Sequence, residues 1–286
     1  MAADHFRTEH SEHLPMHVPF DICQSKSKSK SGSALSLKPS LFAKNKEKRK
    51  EQECFKSSEK HILLRKGMVL LRKYISLSNQ INIIKKCQEL GCGPGGFYQP
   101  VFRDGAKLHL QMMCLGKNWD PEMKSYGDRR SIDDACPPSI PVEFNKLVEQ
   151  AILDSQVFIK QDQKLSNVED VLPGMSPDIC IVNFYTESGK LGLHQDRDET
   201  PESLKRGLPV VSFSIGDSAE FLYGDNRDPD MAHKVVLESG DVLIFGGEAR
   251  HIFHGVPCIT RNSAPSSLVE ESNLLPGRLN LTFRKY

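Results

Sequence analysis

In the stretch LGLHQDRDE, His194 and Asp196 stand two positions apart, directly after an alternating apolar run. The side-chain period of a β-strand is two, so both project to one face. An imidazole beside a carboxylate supplies two legs of the facial set, two histidines and one carboxylate, that holds non-haem Fe(II) and leaves coordination positions open. The third leg must come from a distant strand, and ARHIFHGV offers His251 and His254. Spacing does not choose between them. His254 is followed by Gly255, whose missing side chain predicts room beside a metal.

Many oxygenases built on that set fill the open positions with 2-oxoglutarate, whose far carboxylate needs a fixed cation. Arginine suits this because its planar fork grips a carboxylate bidentately. The closing run GRLNLTFRKY places Arg278, Asn280, Thr282 and Arg284 on one face by the same period-two rule. Geometry does not rank the two arginines. Upstream, ICIVNFY puts Asn183 and Tyr185 on one face as further polar handles.

These residues need a scaffold, and the carboxy-terminal part of the chain reads as one. ICIVNFY, KLGLHQD, LPVVSFSIG, AEFLYGD, HKVVLES, DVLIFGG, HIFHGV and RLNLTFRKY are short β-branched or aromatic runs separated by turn residues. Eight such runs in succession predict an α+β fold with an antiparallel jelly-roll core and helices packed outside. One helix is expected within LSNQINIIKKCQEL, with Ser78 as N-cap and Ile81 and Ile84 facing inward. A second is expected in PVEFNKLVEQAILDS, with Phe144, Leu147, Val148, Ala151 and Ile152 at helical spacing. KLHLQMMCLG alternates as a strand, and NWDPEMKSYGDRRSIDDACPPSIP reads as a long polar loop.

The organisation expected is a disordered basic tail over 1–60, an extension with helices over 61–175 and the jelly-roll core over 176–286. The 286 residues carry a net charge of only +1, but 26–60 holds eleven Lys or Arg against four Glu. Low-complexity Ser/Lys sequence there buries too little apolar surface to offset ordering entropy. KNKEKRK reads as a nuclear address, a nucleic-acid-binding arm or a solvated basic tail. The eight cysteines form no CxxC pair and are expected to be reduced thiols of an intracellular chain. No apolar run approaches the roughly 20 residues of a membrane span, so no membrane partner is expected.

PDICIVNFY, KLGLHQDRDE, VVSFSIG, SGDVLIFGGEARHIFHG and RLNLTFRKY, in this order, resemble the AlkB family of Fe(II)/2-oxoglutarate-dependent nucleic-acid demethylases. The similarity runs over 67–286, is dense from Pro177 onward, and looks closest to a plant-type branch. The resemblance selects His254 as the third metal ligand, with His194 and Asp196. It assigns Asn183, Tyr185, Arg278, Asn280 and Arg284 to 2-oxoglutarate, with Arg278 at the distal carboxylate. LGKNWDPEMKSYG resembles the family's nucleotide-recognition lid, which makes Trp119 a base-stacking residue and Tyr126 a substrate contact. Asp198 then serves as an acceptor for an exocyclic amine.

The activity implied is oxidative demethylation of N-methylated bases in DNA or RNA. It consumes 2-oxoglutarate and O2 and releases succinate, CO2 and formaldehyde. A monomer in the nucleus or cytoplasm is expected. The alternative is a 2-oxoglutarate oxygenase acting on a protein, because fold and iron site alone do not name a substrate.

Overall fold

The computed structural model describes residues 20–24, 61–101, 105–163, 167–186 and 188–286. The strands are β1 (His61–Arg65), β2 (Met68–Leu71), β3 (Gln111–Leu115), β4 (Asn118–Asp120), β5 (Ser125–Gly127), β6 (Ile179–Tyr185), β7 (Leu191–His194) and β8 (Val210–Gly216). They continue with β9 (Ser218–Gly224), β10 (His233–Leu237), β11 (Val242–Phe245), β12 (Phe253–Thr260) and β13 (Arg278–Arg284). The helices are α1 (Leu77–Gly91), α2 (Val142–Gln163), α3 (Pro201–Lys205) and α4 (Ser266–Ser272), with a 3-10 turn at Gly247–His251.

A seven-stranded sheet in the order β1-β2-β11-β8-β13-β6-β3 faces a four-stranded sheet in the order β10-β9-β12-β7. All eight runs expected of the jelly roll are strands. Period-two alternation sorts their side chains into two layers. On β13, Leu279, Leu281 and Phe283 join the core under the helices, whereas Arg278, Asn280 and Arg284 point between the sheets. Strands β6 and β11 divide likewise: Val182, Phe184 and Ile244 lie on the helix side, and Ile181, Tyr185 and Phe245 on the inner side. Burying a side chain such as Phe213 or Leu281 contributes about 1.5–3 kcal/mol, so the helix-side layer anchors the sheet while the inner face stays free for polar residues.

α1 docks through Ile81, Ile83, Ile84 and Cys87, and α2 through Phe144, Val148, Ala151 and Ile152. The N-cap of α1 is Ser76, not Ser78: the Ser76 hydroxyl accepts from the Asn79 amide at 3.3 Å. Ser76 and Ser78 are both caps by type, and the helix begins two residues earlier than a Ser78 cap implies. The stretch expected as a long polar loop contains the β4–β5 hairpin, which pairs Trp119 with Tyr126. Strands of three residues are too short to show a period, and the hairpin is held by its turn: Asp120 Oδ1 accepts from the amides of Glu122 and Met123 at 2.9 and 3.0 Å.

The division expected at residue 175 falls inside a continuous sheet, since β2 pairs with β11 and β3 with β6. Within 1–60, expected to be disordered throughout, residues 20–24 are packed. Ile22 is fully buried, and Cys23 bridges to Leu274. The basic run of 26–60 lies outside the described residues. Seven described cysteines are free thiols. Among the described residues no helix is long and apolar enough to cross a membrane.

Candidate active site

β7 and β12 run antiparallel with His194 directly opposite His254, so the register alone brings the two imidazoles together. Their ring centroids are 4.4 Å apart. Gly255 permits this pairing. A Cβ there would stand 2.8 Å from the Leu191 carbonyl oxygen and 3.0 Å from the Gly192 carbonyl carbon, so its missing side chain serves the approach of β7 and not space beside a metal. Asp196 lies just beyond β7, 7% exposed, with Oδ1 3.6 Å from His194 Nε2 and Oδ2 3.6 Å from His254 Nε2. One ligand atom from each of the three residues falls within 4.8 Å of the others.

The imidazoles are held for ligation. His194 Nδ1 donates to the Gly192 carbonyl at 2.9 Å, and His254 Nδ1 to the Ile252 carbonyl at 3.3 Å. A carbonyl can only accept, so each Nδ1 carries the proton and each Nε2 keeps its lone pair for a metal. Phe245 and Phe221 flank the His254 ring at 5.1 and 5.8 Å. Burial, opposed by Asp196, brings the His254 pKa down to about 4, which keeps the ring neutral. Burial pushes the Asp196 carboxyl up, but the positive charge around it, Arg284 first, outweighs burial and holds the group well below the usual carboxylate range. A neutral His254 imidazole beside an ionised carboxylate is the protonation state that a divalent cation requires.

Arginines support this group from behind. Arg250 Nη1 donates to the Asp196 carbonyl, Nε to Leu208 O at 2.9 Å and Nη2 to Glu199 Oε2 at 2.9 Å. Arg284 Nη2 pairs with Asp196 Oδ2 at 2.9 Å, Nη1 donates to the Tyr126 hydroxyl at 2.6 Å, and Nε stands 3.4 Å from Glu199 Oε1. Arg278 is different. It is 1% exposed, and only Nη2 has a partner, Ser214 Oγ at 3.1 Å, while Nε and Nη1 have none. It lies opposite Tyr185 across β13 and β6, and Asn280 lies opposite Asn183. Buried guanidinium N–H groups without acceptors are costly, and a dicarboxylate's far end supplies the acceptors they lack. The donor set fits 2-oxoglutarate.

In front of the metal group is a cavity of about 440 Å³, whose wall includes Leu110, Met112, Trp119, Asn183, Asp196 and Asp198. Trp119 Nε1 donates to Asp198 Oδ2 at 2.9 Å, so two residues expected to meet the substrate first meet each other.

The model of the 2OG-Fe(II) oxygenase superfamily matches residues 67–284. The solved structure of OsALKBH1 superposes with a TM-score of 0.75 at 62% identity, covering 79% of this chain and 100% of that one. The chain is an AlkB-like 2OG-Fe(II) oxygenase. Two curated relatives from Arabidopsis thaliana are named DNA N(6)-methyladenine demethylase ALKBH1C and ALKBH1D. Each is 55% identical, over 87% and 94% of this chain and 54% and 59% of its own length. The chain therefore spans little more than half the length of these relatives. As a member of this superfamily it uses Fe(II), 2-oxoglutarate and O2.

The structure of this AlkB-like oxygenase brings His194, Asp196 and His254 together and leaves His251 exposed in the 3-10 turn, its carbonyl accepting from Gln195. Tyr126 is not in the cavity wall; its hydroxyl is engaged by Arg284. Two basic residues near the hairpin, Arg129 and Arg130, are ion-paired with Asp134 and Asp133. Glu199 escaped the sequence reading, although it closes the LGLHQDRDE stretch. It is the buried acid shared by Arg250 and Arg284. Its signal was its place beside the metal residues, but the type alone does not separate a buried acid from a solvated one.

Proposed function

We propose that this chain oxidatively demethylates N-methylated bases of DNA or RNA, with N6-methyladenine in DNA first among the lesions to test. The observation that carries this reading is the cavity of about 440 Å³ that opens beside Asp196 and has Trp119, the sole tryptophan of the sequence, in its wall. A flat indole at the mouth of an oxidising site suits a flipped or unpaired base, since stacking is worth about 1–3 kcal/mol per base. The names of the two Arabidopsis relatives support the choice of lesion.

Bound Fe(II), 2-oxoglutarate and O2 supply the oxidising power that hydroxylates the N-methyl carbon, yielding succinate, CO2 and, after the carbon is lost, formaldehyde. The chain does the rest. His194, Asp196 and His254 hold the metal. Arg278 takes the distal carboxylate through Nε and Nη1, beside Tyr185, Asn183 and Asn280. Arg284 and Arg250 keep Asp196 ionised and in place. Trp119 stacks on the base. An ionised carboxylate accepts at both oxygens, so Asp198 receives the indole N–H with one and offers the other to the exocyclic nitrogen. Leu110, Met112 and the other apolar wall residues exclude water from the methyl group. The form proposed is a monomer acting in the nucleus or cytoplasm.

The test is a mass-spectrometric screen of DNA and RNA oligomers carrying N6-methyladenine, 1-methyladenine or 3-methylcytosine, with succinate measured in parallel. Loss of 14 mass units per lesion (roughly one CH2), matched by succinate, is the expected result. Succinate release driven by a methylated histone peptide and by none of the oligomers would sink the reading.

A further inference from the structure

We propose that Tyr126 is a positioning residue of the iron site, tying the β4–β5 hairpin to Asp196 through Arg284, and not a substrate contact. The inference goes beyond the substrate assignment: it concerns how the chain holds its metal and stands whichever molecule is oxidised.

Tyr126 faces the same side of the hairpin as Trp119, its cross-strand partner. The two side chains then part. Trp119 lines the cavity, whereas Tyr126 turns behind the metal group and packs edge-on against Tyr286 at 5.6 Å. Its hydroxyl accepts from Arg284 Nη1 at 2.6 Å, while Nη2 of the same guanidinium lies 2.9 Å from Asp196 Oδ2. Because the guanidinium is planar and rigid, pinning one nitrogen fixes the direction of the others. On the Nε side Glu199 Oε1 is 3.4 Å away without a hydrogen bond, and the Nη2–Asp196 Oδ2 contact is an ion pair without hydrogen-bond geometry, so the directional restraint on the plane comes from the bond to Tyr126. The phenol thus supplies the restraint that aims Nη2 at the metal ligand. Burial, opposed by Arg284, raises the pKa of the phenol above its ordinary value, so the hydroxyl stays neutral beside the two acids. Removing it leaves a buried N–H without an acceptor and a guanidinium free to pivot about Asp196. Trp119 adds a second tie from the hairpin, to Asp198 at 2.9 Å, so both strands of the hairpin are fastened around the metal-side loop.

The experiment compares Tyr126→Phe, Arg284→Lys and the double variant with the wild-type chain. Mn2+ binding is followed by calorimetry without nucleic acid, and 2-oxoglutarate turnover is followed with and without oligonucleotide. Groups that orient a metal ligand are worth about 10–100-fold in affinity. Tyr126→Phe is therefore expected to weaken Mn2+ binding about tenfold and to slow succinate release in the absence of nucleic acid. The double variant should bind Mn2+ little worse than Arg284→Lys alone, because both changes act on one contact. Wild-type Mn2+ affinity with a raised oligonucleotide KM would overturn the proposal in favour of a substrate contact. Additive losses that track a lowered Tm would overturn it in favour of a purely structural tyrosine. Neither result would touch the demethylase reading, which the oligomer screen tests separately.

Discussion

The two ends of β13 carry the same residue type on the same face, both buried, and they are put to different uses. Arg284 is surrounded by acceptors: Asp196, Tyr126 and Glu199 together outweigh burial and raise its pKa above the ordinary arginine value. Arg278 has one neutral hydroxyl, and burial pulls its pKa down to about 10. A guanidinium ringed by acids is suited to be a strut, and a buried one with two donors lacking acceptors is suited to hold an anion. What an arginine does in this fold is set by the acceptors that neighbouring elements bring to it, not by its place on the strand.

The largest effect is expected where the strut meets the metal. Asp196→Ala should weaken metal binding by more than about a hundredfold, beyond the cost of losing a group that merely orients a ligand, and succinate release should fall to background. Far-UV circular dichroism should be unchanged because the helix-side core does not include Asp196. Stoichiometric iron with continued turnover would show that the triad is misassigned.

Glu199→Ala tests the same end by stability. It strips a buried partner from Arg250 and weakens the surroundings of Arg284, and breaking such a pair costs about 3–5 kcal/mol. Urea unfolding measures it, and a cost below about 1 kcal/mol would erase the contrast between the two arginines.

At the other end, Arg278→Lys keeps the charge but loses the fork. The KM for 2-oxoglutarate should rise about tenfold to a hundredfold, the equivalent of roughly 1.4–2.7 kcal/mol, with Mn2+ affinity near wild type. The comparison sharpens if Arg284→Lys gives the reverse pattern. A normal KM in Arg278→Lys would remove its anchoring role.

The smallest effect is expected in the β4–β5 hairpin. Trp119→Ala should lose about 1–3 kcal/mol of oligonucleotide affinity, read by fluorescence anisotropy with a labelled methylated strand. Unchanged affinity combined with a lowered Tm would make Trp119 a packing residue.

Much of this was legible in the linear chain. The alternation of polar and apolar residues in RLNLTFRKY and ICIVNFY predicted both the strands and which side chains face inward, because a pleated strand converts parity of position into a choice of face. The HxD pair carried the metal chemistry for the same reason. The hairpin at Trp119 was not legible, since two strands of three residues leave no period to detect. Glu199 was not legible because nothing in its type announces that two arginines, 51 residues (Arg250) and 85 residues (Arg284) downstream, will converge on it.

By itself, then, the sequence determined the strands, the inward faces, the candidate ligands His194 and Asp196 and two arginines on one face. It left His251 and His254 equivalent, and likewise Arg278 and Arg284, until a family resemblance ranked them. Tertiary structure separates the members of both pairs. Antiparallel register places His254 opposite His194, and the acids gather at the Arg284 end of β13, while Nε and Nη1 of Arg278 have no acceptor. The reason is physical: local sequence sets which way a side chain points, but its partners come from strands far away in the chain, and only folding chooses the register that brings them within hydrogen-bonding distance.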